Sequence, residues 1–567
     1  MSRLKTILPG LGILALWALP VLILKPWSMD FPLDEDWAYA WGVSHLIQKG
    51  ALRFSDWVSN PQWFQVFWGF LWVKILGLSF GALKISTLTA GGAAVVLLYR
   101  IMRMQSVPVF PSFLAACVLA FNPVFFLLSY SFMPDVPYLC LILLAVYFYL
   151  KARRPPSQSS GDPDASEMRR GNERKNLVWA SLFSAVGTGV RYLGVFLPLG
   201  YGLRMASCRQ WDRRWILIWA LPLAAVSVYL AWFYGRHGPT WGAQAYLQAC
   251  GSHVRDFPAF LGDLFFRFIG AFLEIGFFLF PLAVGFLACP KQFIRKKSPV
   301  VLPPSIYFCA VGWLFVLSIY LTLYGCMPHL EGVLHGKGLG PLYILDAVIK
   351  PAGFFEKQWL WIGITFLSMA SLLVCTAAFL AVKSDSHFAP YRDSLWIFFV
   401  TSAAQALLPM GGPSYFDRYA LALVPFGIWV LSIAATRWNF SKPFCILGLL
   451  FLGAFSMAGT QDYLACNRAK WDLGKRVIAK GILPNQVTNG FDWDAFWTYQ
   501  PNMDRLKKIK SLGRIGENDW QALNPYGALV TYRADMPGDS YQLADQVSYR
   551  TWLHPSSPVP LYLWIGK

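Results

Sequence analysis

Residues 7–39 read ILPGLGILALWALPVLILKPWSMDFPLDEDWAY. The run from Ile7 to Leu24 carries no charge and comes close to the roughly twenty residues a helix needs to cross a bilayer. Arg3 and Lys5 precede it and no small-residue cleavage site follows, so it reads as a retained signal anchor with its N-terminus inside. Ten residues later come three consecutive carboxylates, Asp34, Glu35 and Asp36. Beside a membrane such charges are costly unless they face water, a partner or a substrate, which marks them as functional candidates. A plainer reading is a solvated helix start with Asp34 as its cap.

The remainder of the composition extends the membrane reading. Of 567 residues, 56% are hydrophobic and only 14% charged, so the chain belongs with α-helical polytopic membrane proteins and not with soluble globules. The net charge of +19 sits in short Lys/Arg clusters between apolar runs, the pattern of loops retained in the cytoplasm, and this argues against a nucleic-acid partner. Ten cysteines are scattered without metal-ligand or disulfide spacing and read as small packing residues.

Apolar runs predict crossings at about 83–99, 109–130, 134–151, two short legs within 176–205, then 215–235, 263–288, 305–325, 358–381, 394–411, 419–436 and 443–460. With the anchor this makes about thirteen transmembrane helices. The aromatic-rich run 63–80 is assigned to the surface of the first outer loop, 25–82, because only then do Arg100, Arg103 and every later basic cluster fall inside. Residues 151–176 form a charged, Pro/Ser/Gly-rich flexible cytoplasmic loop. The transmembrane domain thus covers 1–460. Beyond it, 461–567 lacks apolar runs and shows a helical stretch near 467–480 and strand-like pieces at 528–532 and 560–564, predicting a small extracytoplasmic α/β domain. In the outer loop 326–357, His329, Glu331 and His335 match no strong metal motif and read as solvated polar residues.

This topology gathers several polar groups on one side: the acids at 34–36, Asp135, Arg191, and Asp417-Arg418. Ionisable residues at the ends of different helices on one face describe a shared cavity. Carboxylates with arginines suit a reaction that deprotonates a hydroxyl while an anionic group is held, since guanidinium matches phosphate oxygens bidentately. Asp135 as a helix cap and Asp417-Arg418 as a local ion pair are the structural alternatives.

Asp34-Glu35-Asp36-Trp37-Ala38-Tyr39, Ser55-Asp56-Trp57, Lys84-Ile85-Ser86-Thr87-Leu88, Phe121-Asn122-Pro123, Ser131 to Pro137, and Tyr415-Phe416-Asp417-Arg418-Tyr419 together resemble the GT-C superfamily. Within it, the resemblance is to bacterial members of the protein O-mannosyltransferase and aminoarabinose transferase clan, the family 39, dolichyl-phosphate-mannose-mannosyltransferase-like proteins. The resemblance implies a GT-C fold and a multi-pass enzyme of the bacterial inner membrane. It also implies transfer of a sugar from a polyprenyl-phosphate donor to a hydroxyl of a lipid, glycan or protein on the extracytoplasmic face. The first-loop acids would then supply the catalytic base, with Asp36, Glu35 and Asp34 all candidates and Asp135 joining them. Tyr39, Arg191, Tyr415, Asp417 and Arg418 are candidate substrate-binding residues, the arginines holding the departing phosphate. Mg or Mn suits clustered carboxylates and a phosphate, with Asp36 and Asp135 as candidate ligands, and the sequence leaves metal dependence open. A lipid-linked glycan transporter or flippase and a glycan polymerase or ligase are the rival classes.

Overall fold

The computed structural model describes residues 2–153, 163–209, 214–290, 358–509, 519–524, 526–536, 540–553 and 558–567, with short pieces between 310 and 348. Among these residues nine helices are long and apolar enough to cross a membrane, or ten if one bent pair is a single span. Each falls on an expected crossing, so the chain is an α-helical polytopic membrane protein. The crossing expected at 305–325 lies outside the described residues, as do Glu331 and Lys337 of the 326–357 loop.

Local chemistry accounts for the irregularities. The crossing expected at 109–130 is two helices, Val109–Ala120 and Pro123–Ser129, at 62° to each other. Pro123 lacks an N–H and disfavours helical backbone before it, and Asn122 caps the second helix by accepting the Phe125 N–H at 2.9 Å. The two legs within 176–205 meet at Gly189-Val190-Arg191: Pro163–Thr188 arrives, a short 3-10 turn Tyr192–Phe196 follows, and Leu199–Ser207 leaves. Trp63–Leu76, at 14 residues, is about 21 Å long and too short to span. It lies across the helix ends, where the Phe64 N–H donates to Gly189 O and the Gln65 amide to Phe132 O.

Helices pack closely where small residues allow it. The indole of Trp17 lies on Gly91 and Gly92, and its Nε1 donates to Leu88 O at 3.1 Å. At one end of the bundle Arg153 and Arg204 both pair with Asp393, and Phe110 stacks on Phe440. The candidate residues all lie at the opposite end, called below the site end.

There the first loop, between Leu24 and Trp63, is stitched to the helix Phe80–Met104. Lys84, fully buried, donates to Met29 O (3.0 Å) and Phe31 O (2.7 Å), and Asp30 accepts the Phe80 N–H at 2.8 Å. The C-terminal α/β unit sits above this loop. Its helix is not separate from the last crossing as expected: Lys442–Ala479 is one helix of 38 residues, because no proline interrupts it after Pro443. The sheet places Val487–Thr488 parallel to Ala528–Thr531, which pairs antiparallel with Val559–Gly566, which pairs antiparallel with Tyr541–Tyr549. The unit grips the first loop through Asp56, which accepts from Lys507 Nζ (2.5 Å) and Gln500 Nε2 (2.9 Å), and through Phe31 stacked on Trp471.

Candidate active site

The three consecutive acids face three different environments. Asp34 takes a left-handed backbone (φ 51°), a conformation that Asp tolerates better than most residues, and the chain reverses there before helix Asp36–Lys49 begins. No side chain caps that helix, so Asp34 is not a cap. Its carboxylate is 54% exposed and lies 3.8 Å from Arg418 Nη1. Glu35 accepts from Trp57 Nε1 at 3.2 Å, Arg418 Nη2 at 3.1 Å and Tyr39 OH at 3.4 Å.

Asp36 is fully buried. Oδ1 accepts the Phe132 N–H at 2.8 Å and Oδ2 the Leu33 N–H at 3.2 Å, tying the first loop to the turn that precedes helix Asp135–Arg153. Burial pushes its carboxyl up to about 7, against the opposing pull of the Phe132 N–H, the Lys84 charge and the Leu33 N–H. Both oxygens of Asp36 are thus engaged by backbone N–H groups of two separate segments.

Two arginines converge from separate elements. Arg191, at the turn between the two short legs, pairs with Asp135 Oδ1 at 2.6 Å and lies 5.2 Å over the Tyr419 ring. Asp135 Oδ2 is buried without a hydrogen-bond partner, and the Asp135 side chain is not serving as a cap. Arg418 bridges to Glu35 and lies against Phe416 and Tyr419 (4.7 and 5.8 Å), with Nε unpartnered. Its side chain is 11% exposed and that of Arg191 17%. Two guanidiniums so shielded are worth far more to an anion than two in open water.

Both line one small cavity, whose polar wall also holds Asp135, Tyr138, Gln405 and Tyr419. Its other wall, including Leu139, Ile142, Leu193 and Leu421, is apolar. Tyr138 and Gln405 were not read from the sequence. The Tyr138 hydroxyl donates to Gln405 Oε1, and Gln405 Nε2 donates to Leu193 O at 2.8 Å. A signal existed for each: Tyr138 lies one helical turn from Asp135 on the same face, and Gln405 is a polar residue inside an apolar span.

Asp417 and Tyr415 stand outside the cavity. Asp417 is fully buried, and its Oδ2 accepts the N–H groups of Val333 (2.6 Å) and Leu334 (2.8 Å), while Oδ1 accepts the Arg418 N–H at 2.6 Å. It is therefore a clasp on the neighbouring loop and not a side-chain partner of Arg418. Tyr415 donates to Ala406 O at 3.0 Å and acts as a strut. The Tyr39 hydroxyl donates to Glu35 at 3.4 Å.

Among the described residues no group of three or more His, Cys, Asp or Glu stands together to hold a metal. Asp36 gives one oxygen to each of two backbone N–H groups and Asp135 faces Arg191, so the two do not form a ligand pair.

Fold and site together define a multi-pass helical membrane protein with a carboxylate–arginine cavity at one end of its bundle and a small α/β unit docked on the first loop at that end. No protein-family model and no curated protein matches the chain. Solved structures similar to it include ArnT from Cupriavidus metallidurans in the apo state, at 13% identity and TM-score 0.40, covering 98% of this chain and 97% of that one. ArnT bound to undecaprenyl phosphate gives 13% and 0.41, with 98% of both chains covered. The Archaeoglobus fulgidus oligosaccharyltransferase in the apo form gives 12% and 0.46, covering 92% of this chain and 69% of that one.

Proposed function

We propose that this chain is a membrane glycosyltransferase that takes a sugar from a polyprenyl-phosphate donor and transfers it to a hydroxyl acceptor. The observation that carries the reading is the convergence of Arg191 and Arg418, both largely shielded, on one cavity that has an apolar wall and carboxylates at its rim. That combination suits an amphiphile with a phosphate head and a hydrocarbon tail.

The proposed chemistry is a single displacement with inversion. The acceptor oxygen bonds to the anomeric carbon as the bond from that carbon to the phosphate oxygen breaks. The leaving phosphate keeps the electron pair, held by the two guanidiniums, and the hydroxyl proton passes to a carboxylate. Of the three first-loop acids Asp34 is the most accessible and is assigned the proton. Glu35, engaged by Arg418, Trp57 and Tyr39, orients Arg418, and Asp36 ties the loop in place. Asp135 plays the corresponding orienting part for Arg191. Because a phosphate monoester is a good leaving group, no acid need protonate it.

The far end of the bundle carries Arg100, Arg103, Lys151, Arg204, Lys383 and Arg437, and this positive-inside pattern supports the reading in which that end faces the cytoplasm and the site the extracytoplasmic side. The test is mass spectrometry of lipid-linked glycans, lipopolysaccharide and envelope proteins from cells carrying the native chain or Asp34→Asn. A polyprenyl-phosphate monosaccharide that accumulates while one acceptor loses one sugar supports the reading. A lipid displaced between leaflets with every glycan unchanged sinks it in favour of transport, and accumulation of an oligosaccharide diphosphate favours a polymerase or ligase.

A further inference from the structure

The helix Lys442–Ala479 is about 57 Å long, and a hydrocarbon core of about 30 Å takes up some twenty of its 38 residues. Counted from its far end, the helix leaves hydrocarbon near residue 462, and Arg468 stands at headgroup depth. At that level Arg468 Nη2 donates to Ser28 Oγ (3.3 Å), just after the first crossing, and Lys25 is exposed beside it. Trp27 is 48% exposed, and its backbone lies so close to Gly81 that a Cβ there would meet Trp27 O at 2.8 Å. Leu78 is exposed on the neighbouring turn. The α/β unit reaches down to the same place: Phe496 meets Phe80 edge-to-face at 5.7 Å, and Trp497 packs on Phe496 at 4.9 Å. Both sit on a π-helical turn, Ala495–Tyr499, and both are 38% exposed. A water-facing domain has little reason to display Phe and Trp together, least of all on a turn whose extra residue pushes them outward.

We infer that this turn of the α/β unit is seated in the site-side leaflet, with Phe496, Trp497 and Trp27 at the boundary of headgroups and acyl chains and with Lys25 and Arg468 engaging anionic phospholipid headgroups. The patch is continuous with the ends of two membrane-crossing helices, Leu8–Ser28 and Phe80–Met104, so the bilayer that surrounds those helices reaches it without a change of direction. Aromatic rings with a polar edge favour this depth, and two cations beside them favour a negative surface. The α/β unit thereby rests on lipid as well as on the first loop.

The full chain, placed in nanodiscs containing photoactivatable phosphatidylglycerol or phosphatidylcholine with the reactive group near the headgroup, is irradiated and its peptides are mapped by mass spectrometry. Adducts on the peptide spanning 493–500 and on Trp27, several-fold more abundant with phosphatidylglycerol, are the expected result. In Lys25→Gln/Arg468→Gln the preference for phosphatidylglycerol should vanish while labelling by phosphatidylcholine persists. Absence of adducts on 493–500 when the first turn of Phe80–Met104 is labelled would overturn the inference. A phosphatidylglycerol preference unchanged in the double variant would overturn the assignment of those two cations. Phe496→Ser/Trp497→Ser, which alters only partly exposed side chains, should lower labelling of Trp27 as well, and unchanged labelling there would mean that the aromatic seat does not exist.

Discussion

Asp34, Glu35 and Asp36 are adjacent in sequence but chemically unlike, and single substitutions should separate them. Asp34→Asn is expected to reduce transfer by about a hundredfold or more, the scale of a lost proton acceptor, with the melting temperature unchanged. Asp36→Asn replaces one of two acceptor oxygens by a donor aimed at a backbone N–H, which should destabilise the protein by about 1–3 kcal/mol, measured as a lowered melting temperature in detergent. If Asp34→Asn leaves transfer intact and Asp36→Asn abolishes it without loss of stability, the two roles are reversed. Asp36 also has a signature in pH. Between the ordinary 3.8 and its raised value of about 7, the folded protein keeps a proton that the unfolded chain releases. Stability contributed by this group therefore falls as pH rises through that window. Thermal unfolding near pH 5 and near pH 8 should show it, and the difference should shrink in Asp36→Asn.

Sequence reasoning found these acids and could not apportion them. Their divergence depends on the positive φ at Asp34 and on Phe132, nearly a hundred residues away, offering its N–H to Asp36. Composition carries neither fact. Asp135, Arg191 and Arg418 were legible because ionisable groups at the ends of apolar segments are rare enough to stand out. Gln405 and Tyr138 gave only a weak signal, since a neutral polar residue in an apolar helix is common, and it is the cavity that gives theirs meaning.

At the scale of elements, the crossings could be read because each is a run of apolar residues bounded by charge. The strand-like pieces at 528–532 and 560–564 were read from their alternation, whereas Tyr541–Tyr549, with Gln542, Gln546 and Ser548 exposed along it, was not. The last helix was cut at the change in composition near 460, yet a helix stops at a backbone signal and not where its surroundings change from lipid to water. The break at Asn122-Pro123 illustrates the converse. Asn122→Ala should destabilise the fold by about 1 kcal/mol through loss of the cap, measured by thermal unfolding, with transfer little changed. Arg191→Met tests a pair made between elements: it leaves Asp135 buried without its partner, at a cost of about 3–5 kcal/mol, and should weaken donor binding too. A melting temperature equal to that of the native chain would show that the pair contributes nothing to stability.

For the molecule as a whole, one end of the bundle gathers basic residues and the other gathers the site and the α/β unit. Alkaline phosphatase fused after Lys567 should be active, and a fusion after Arg437 should not be; the opposite pattern would place the site in the cytoplasm. The two ends are also linked differently to their surroundings. At the site end, Asp417 clasps Val333 and Leu334 while its immediate neighbour Arg418 reaches into the cavity. The loop contact and the cavity-lining guanidinium are thus carried by adjacent residues, joined further by the Arg418 N–H donated to Asp417 Oδ1. If the proposed transfer holds, a shift at Val333-Leu334 that freed Asp417 would also disturb Arg418, so release of the bound anion would be tied to that contact, and slow release would show itself as slow turnover with unimpaired chemistry in a single cycle.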